Sequence, residues 1–351
     1  MTKRNGRVWA ARRRAVVLLA LLAAGAFGAP SAAWADALRV VATTPDLADL
    51  ARRVGGDAVE VSALARGPED VHFVEPRPSF VRALHRAELL IRVGLGLEDG
   101  WLPALLQAAR NPAIQPGAPG ALDASTAIVA RDVPAGRVDR AQGDVHPAGN
   151  PHYLADPLNG LRVAAAIRDR LAALRPKEAD GFAARYDAFA RALVERLVGP
   201  ELAARHDPAT LAAAAESGRL AELSAESGVP LGGWLGALGA GATRRKAVED
   251  HRAWTYLAER FGIELVAALE PLPGIAPTPR HLGEVIELVR REGVGLILAT
   301  PYFSRRHAEL VAARTGARIV ELAHQVGSRP GADDYLATVE HNVRALLEAS
   351  R

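Results

Sequence analysis

Residues 38–64, LRVVATTPDLADLARRVGGDAVEVSAL, set the pattern by which the whole chain is read. Residues 38–44 are a short, β-branched apolar run. Pro45 then leads a helical pattern to Val54, Gly55 and Gly56 turn the chain, and residues 59–64 read as a second strand. The same alternation continues outward. A Pro-rich loop carrying His72 and Glu75 is followed by a helix over 79–86, a buried strand over 89–93, and a helix that begins near Trp101. It resumes late in the chain with strands at 246–249, 263–267, 294–299 and 318–322, and with helices at 253–261, 279–291, 304–314 and 334–347. Strands alternating with helices predict an α/β fold with mostly parallel sheets. In such sheets ligands gather at the carboxyl ends of strands.

Between the two α/β halves lies a long amphipathic stretch. Phe182, Tyr186, Phe189, Leu193 and Leu197 recur on one face, and Gly199-Pro200 stops the run. A helix over 177–198 spans about 33 Å at about 1.5 Å per residue, enough to cross a small domain. The expected organisation is therefore two lobes joined by one long rigid helix. An N-terminal lobe covers 36–176, the spine 177–199, and a C-terminal lobe 200–351 with an irregular insertion at about 206–243. The insertion shows a helical pattern at 210–223 and a Gly-rich turn at 231–241. Residues 111–142 are rich in Pro, Gly and Ala and predict loops with one short strand at 127–130.

The first 35 residues read as an export signal: a basic start (Lys3, Arg4, Arg7, Arg12, Arg13, Arg14), an apolar stretch over 15–29, and Ala33-Trp34-Ala35 as the cleavage site. Fifteen apolar residues fall short of the roughly 20 that span a bilayer. Removing six basic and no acidic residues takes the formal charge from +3 to −3, so the basic pI belongs to the signal. No basic surplus remains to argue for nucleic acid or an anionic membrane. The chain has no cysteine, which excludes disulfides, thiolate metal sites and a lipid-modified N-terminal cysteine. The expected location is the periplasm, as a monomer without a direct membrane anchor.

The chemistry is carried by histidine. In GDVHPAGNPHYLADP, residues 143–157, His146 and His152 sit in a loop restrained by Pro147, Gly149 and Pro151, before a helix start at Asp156-Pro157. His72, His251 and His324 each follow a predicted strand. Pattern alone leaves two readings open, a site assembled by the fold or separate surface histidines. If the four of His72, His152, His251 and His324 converge, nitrogen donors without thiolate suit zinc. His146 is read as a secondary ligand, a helper that hands on metal, or an exposed loop residue. His85, His281, His307 and His341 fall in predicted helices with charged neighbours and are read as solvated, with His206 in a charged turn.

The segments ATTPDLADLA, GPEDVHFVEPRPS, NPHYLADP, EDHRAWTYLAERFGIELVAALEPLPGIAPTP and TPYFSRRHAELVAARTGARIVEL, in that order, resemble the periplasmic metal-binding proteins that serve zinc and manganese ABC importers. The resemblance covers nearly all of residues 36–351. It implies two α/β lobes joined by one long rigid helix, with a metal held between them by His72, His152 and His251. In that family a histidine at the third position goes with zinc and a carboxylate with manganese, which matches the softer and harder donor. The fourth position departs from the family, which often has an aspartate there. Here the run is Glu321-Leu322-Ala323-His324, so His324, water or Glu270 completes the shell. A second departure is the lack of the His-rich loop that some zinc members carry.

The expected function is capture of Zn2+, with Mn2+ or iron as the nearer alternative, for delivery to an ABC importer permease and through it to its ATPase. A different class is an exported zinc hydrolase with Glu75 or Glu270 as general base, although the chain has no His-Glu-x-x-His helix. A two-lobed protein for a siderophore or cobalamin would expect an aromatic- or Arg-lined cleft, and aromatics are only 5% of the chain.

Overall fold

In the computed structural model, which describes residues 37–136, 146–239, 245–272 and 274–350, the unit read at 38–64 is formed by β1 (Leu38–Ala42), α1 (Pro45–Gly55) and β2 (Val59–Ala63). Proline in the first turn of α1 costs no hydrogen bond, since the N–H it lacks has no helical partner there. Gly56, at φ +56°, ends the helix in a conformation that a side chain would strain. The chain continues through α2 (Pro78–Arg86), β3 (Leu89–Arg92), α3 (Leu102–Ala109) and β4 (Ala121–Asp123). These strands make one parallel sheet in the order β2-β1-β3-β4. The strand expected at 127–130 is not formed. The pairing falls instead on Ala121–Asp123 against Leu90–Arg92, and Ala124–Ala127 is a 3-10 turn capped by Asp123. Three residues are too few to show a period of two, and contact with β3 decides the place.

Two helices follow, α4 (Pro157–Leu174) and α5 (Ala179–Val198). The spine starts later than expected because Pro176–Glu178 takes a 3-10 turn, leaving α5 with 20 residues, about 30 Å at about 1.5 Å each. Phe182, Phe189, Leu193 and Leu197 are buried, and Tyr186 lies under the Arg168 guanidinium, 4.5 Å from the ring centre. Four short helices come next: α6 (Pro200–Ala203), α7 (Pro208–Glu216), α8 (Leu220–Ser227) and α9 (Gly233–Leu238). The single helix expected over 210–223 is broken near Gly218, at φ +73°. The expected Gly-rich turn is partly helical, because Trp234, Leu235 and Leu238 bury themselves where α9 packs on α5.

The second half repeats the first. β5 (Arg245–Glu249), α10 (Thr255–Phe261), β6 (Ile263–Ala268), α11 (Pro279–Glu292), β7 (Leu296–Ala299), α12 (Arg305–Thr315) and β8 (Arg318–Glu321) build a parallel sheet in the order β6-β5-β7-β8, and α13 (Tyr335–Ala349) closes the fold. The result is two parallel-sheet α/β lobes joined by a long helix. One apolar cluster runs from the first sheet through α4 and α5 to the second. The second lobe adds a cluster of its own, with Val248, Leu282, Val285, Ile297 and Val311.

After β8 the chain returns to the first lobe. Val326 N–H donates to Asp46 at 2.7 Å, Tyr335 N–H to Asp49 at 3.0 Å, and Arg53 pairs with Asp334 at 2.8 Å. The Tyr335 phenol lies so close over Gly160 of α4 that any Cβ there would collide with it, and its hydroxyl donates to the Leu154 carbonyl at 2.8 Å. The expected export signal and residues 143–145 of the histidine loop lie outside the described residues, as do residues 240–243 of the expected insertion.

Candidate metal centre

Three connections meet between the lobes. The first follows β2. His72 Nδ1 lies 2.7 Å from Asp70 Oδ1, and the same oxygen accepts the His72 N–H at 3.0 Å. A carboxylate has no proton to give at neutral pH, so Nδ1 is the donor in this bond and Nε2 is the nitrogen turned to the other histidines. The loop is held from both sides. Trp101 Nε1 donates to the Val71 carbonyl at 3.1 Å, and the Gln325 amide donates to the carbonyls of Arg66, Gly67 and Glu69 at 3.0, 2.9 and 3.2 Å.

The second connection follows β5. His251 Nδ1 is 2.8 Å from Glu270 Oε2, which also accepts the Gly274 N–H. Asp250 accepts the His251 N–H at 2.8 Å and both the N–H and hydroxyl of Thr300, each at 2.7 Å, which ties the end of β5 to the end of β7. Burial pushes Asp250 up to about 6, against the bonds from Thr300 and His251. Phe303 stacks on His251 with ring centres 5.1 Å apart.

The third is the loop before α4. Asn150 accepts the His152 N–H at 2.9 Å, while its amide donates to Asp132 and to the Arg252 carbonyl, both at 2.9 Å. Tyr153 donates its hydroxyl to the Val93 carbonyl at 2.7 Å. His152 is thus fixed by backbone on either side, with its ring free.

These connections bring His72, His152 and His251 together: one nitrogen from each lies within 4.8 Å of the others, and their ring centres are 5.1 to 5.4 Å apart. Nε2 of His72 and of His152 is shut off from solvent and has no hydrogen-bond partner among the described residues. Burial, and then the neighbouring His72 and His251, push His152 well below the usual imidazole range, so its ring is neutral and able to donate a lone pair. Burial pushes Asp70 up, but its bonds and charge pairing with His72 outweigh this and hold the carboxyl below its ordinary value. Beside the cluster opens a cavity of about 320 Å³ lined by His72, Phe73, His251, Phe303, Ser304 and His307.

The other candidates lie around this group. His146 stacks on His72 with ring centres 5.4 Å apart, and its buried Nε2 has no hydrogen-bond partner among the described residues. Burial, then His72 and His251, push it down to about 3. His324 packs edge-on against Tyr302 at 4.8 Å and its Nε2 is 3.2 Å from the Glu69 carbonyl, leaving a buried Nδ1 without a partner among the described residues. Glu270 sits behind His251. None of these three belongs to the group within 4.8 Å. His85, His281 and His341 each bond a backbone carbonyl elsewhere. The sequence reading missed Asp70, two residues before His72, where the spacing carried a signal. It also missed Asn150 and Asp250, whose further partners, Asp132, Arg252 and Thr300, are remote in sequence and gave none.

Two parallel-sheet lobes, a connecting helix and three converging imidazoles between them define a two-lobed binding protein with a cleft able to hold a metal ion. Residues 40–196 and 231–349 match the family described as zinc-uptake complex component A periplasmic (ZnuA), and the chain belongs to that family. It is 21% identical over 318 residues to the zinc-binding lipoprotein AdcA of Streptococcus pneumoniae, covering 89% of this chain and 56% of AdcA, so it spans little more than half of that relative. It is 22% identical over 340 residues to the manganese-binding lipoprotein MntA of Halalkalibacterium halodurans, covering 93% of this chain and 94% of MntA. The crystal structure of ZnuA superimposes with a TM-score of 0.64 at 22% identity, over 90% of this chain and all of that one.

Proposed function

We propose that this chain is a periplasmic solute-binding protein that captures zinc, in preference to manganese or iron, and delivers it to the permease of an ABC importer driven by its ATPase. The observation that carries the reading is the group of His72, His152 and His251, with the outer nitrogens of two of them held by Asp70 and Glu270. Carboxylates behind imidazoles fix the tautomer and raise ligand basicity, the usual arrangement around a bound metal. An all-imidazole donor set without a carboxylate suits zinc better than manganese. His324 is the fourth donor we assign. With Nε2–H on the Glu69 carbonyl its Nδ1 keeps a lone pair, and because it stands outside the group it would reach a bound ion only by moving, with water in that position until then. The role is capture and release without chemistry on a substrate, and Glu270, one of the two candidate bases, is committed to His251 and Gly274.

The test is a chelator-competition titration of the metal-free protein with zinc and with manganese. One zinc per chain, bound much more tightly than manganese, is the expected result. Weak or absent binding of both ions sinks the reading.

A further inference from the structure

The family match passes over residues 197–230, yet this stretch is built into the region behind the histidines. α10 begins four residues after His251 and presents Tyr256 and Arg260, one helical turn apart and therefore on one face, to the loop that carries His152. Tyr256 donates its hydroxyl to the Asn150 carbonyl at 2.9 Å, two residues before His152. Arg260 makes a two-pronged pair with Asp156, four residues after it, at 2.8 and 2.9 Å, with both side chains largely buried. Two anchors from the second lobe thus bracket one histidine of the first.

The remaining arm of the Arg260 guanidinium is taken by the unmatched stretch. Nη1 donates to the Ala215 carbonyl at 3.0 Å, in the last turn of α7, where free carbonyls and the helix dipole favour a cation. The next residue, Glu216, pairs with Arg162 of α4 at 2.7 Å. The end of α7 therefore touches both the helix that follows His152 and the helix that follows His251. A guanidinium held on three sides has one orientation left, and that orientation sets where Asp156 sits.

We propose that the segment around α7 is a brace for the candidate metal centre and that Arg260 is its positioning residue, fixing the distance between His152 and His251. This rests on the reading of those histidines as metal ligands. Arg260 touches no metal itself. It acts through Asp156 and the turn Tyr153–Ala155, whose backbone bonds back to His152.

The experiment compares Arg260→Gln, Arg260→Lys and Arg175→Gln with the unaltered full chain, using Zn2+ for affinity and Co2+ for its visible ligand-field bands. Arg175→Gln breaks the pair that Arg175 makes with Glu88 and leaves Asp156 and both attachments of α7 in place, so it controls for loss of stability. Arg260→Gln is expected to weaken zinc about tenfold and to change the Co2+ band positions, Arg260→Lys to do both to a smaller degree, and Arg175→Gln to do neither. If Arg260→Gln fails to fold, Arg260→Lys carries the same expectation. Unchanged affinity and Co2+ bands in the folded Arg260 variants overturn the brace while leaving the metal centre standing, and an equal loss in Arg175→Gln overturns it too. Failure of the unaltered chain to bind either ion overturns the metal centre and the brace with it.

Discussion

The two sheets have the same strand order, but they present their histidines differently. In the first lobe the crevice between β1 and β3 is closed by Thr43, which donates to Glu98 at 2.7 Å. In the second, the crevice between β5 and β7 is closed by a similar threonine–carboxylate pair in the opposite chain order, Asp250 accepting from Thr300. The second lobe uses its clasp to hold a histidine directly, because Asp250 precedes His251 and accepts its N–H. The first lobe spends its clasp on its own loop, Glu98 taking the N–H groups of Val93 and Gly94, and presents His72 from a Pro-rich loop after β2. The carboxylates behind the rings follow suit. Glu270 comes from the end of the neighbouring strand and is 8% exposed, whereas Asp70 is local to its histidine and 27% exposed. His251 hangs directly from a strand end, and His72 from a loop that Trp101 and Gln325 hold in place.

The largest effect expected is from His251→Ala, His152→Ala or His72→Ala, each of which removes a proposed ligand. Zinc affinity should fall by more than the roughly 10–100-fold typical of losing an outer partner, read by chelator competition. Equal affinity in all three variants and the parent would end the distinction between lobes, because there would be no shared centre. Next comes the comparison of the outer carboxylates. Glu270→Gln should weaken zinc about tenfold, and Asp70→Asn less, because water can take the place of the more exposed group. The reverse ranking would mean that the loop, and not the strand end, holds its histidine more firmly. His307→Ala, which alters only the cavity wall, should leave zinc affinity unchanged in the same titration.

A separate test concerns the seam between the lobes. Burial, helped by Asp49, pushes Asp46 from 3.8 up to about 7 against its bond from Val326. The folded protein therefore holds a proton that the unfolded chain gives up, and the stability contributed by this group falls as pH rises from about 4 to about 7. Asp46→Asn keeps an acceptor for the Val326 N–H and removes that slope. In thermal melts of the metal-free protein it should gain a few °C at pH 8, with the gap closing toward pH 4. A gap that persists at pH 4 would show that packing, not ionisation, separates the two proteins.

Much of this architecture was legible because it is local. The β1-α1-β2 unit, the spine residues Phe182 to Leu197 and the turns ahead of His152 and after β5 each advertise themselves through period, Pro and Gly. The three converging histidines were named from ordered motifs, since spacings of 80 and 99 residues carry no geometry of their own. What stayed hidden depends on distant partners. β4 exists because Leu90 and Ile91 pair with it, α9 because Trp234 and Leu238 find α5, and Arg260 gave no sign that Asp156, 104 residues earlier, was waiting for it. His324 stands apart from the group because the Glu69 carbonyl and the Tyr302 ring already engage it, which no reading of its neighbours in sequence foretold.

The return of the chain after β8 has a consequence for how the molecule comes into being. Asp46, Asp49 and Arg53 all lie in α1 or its first turn, and their partners are Val326, Tyr335 and Asp334, close to 280 residues later. Loop closure of that span comes late, after more local contacts have formed. α1, made early in synthesis, is therefore among the last elements to be finished. A chain cut short after β8 would damage the lobe that was made first.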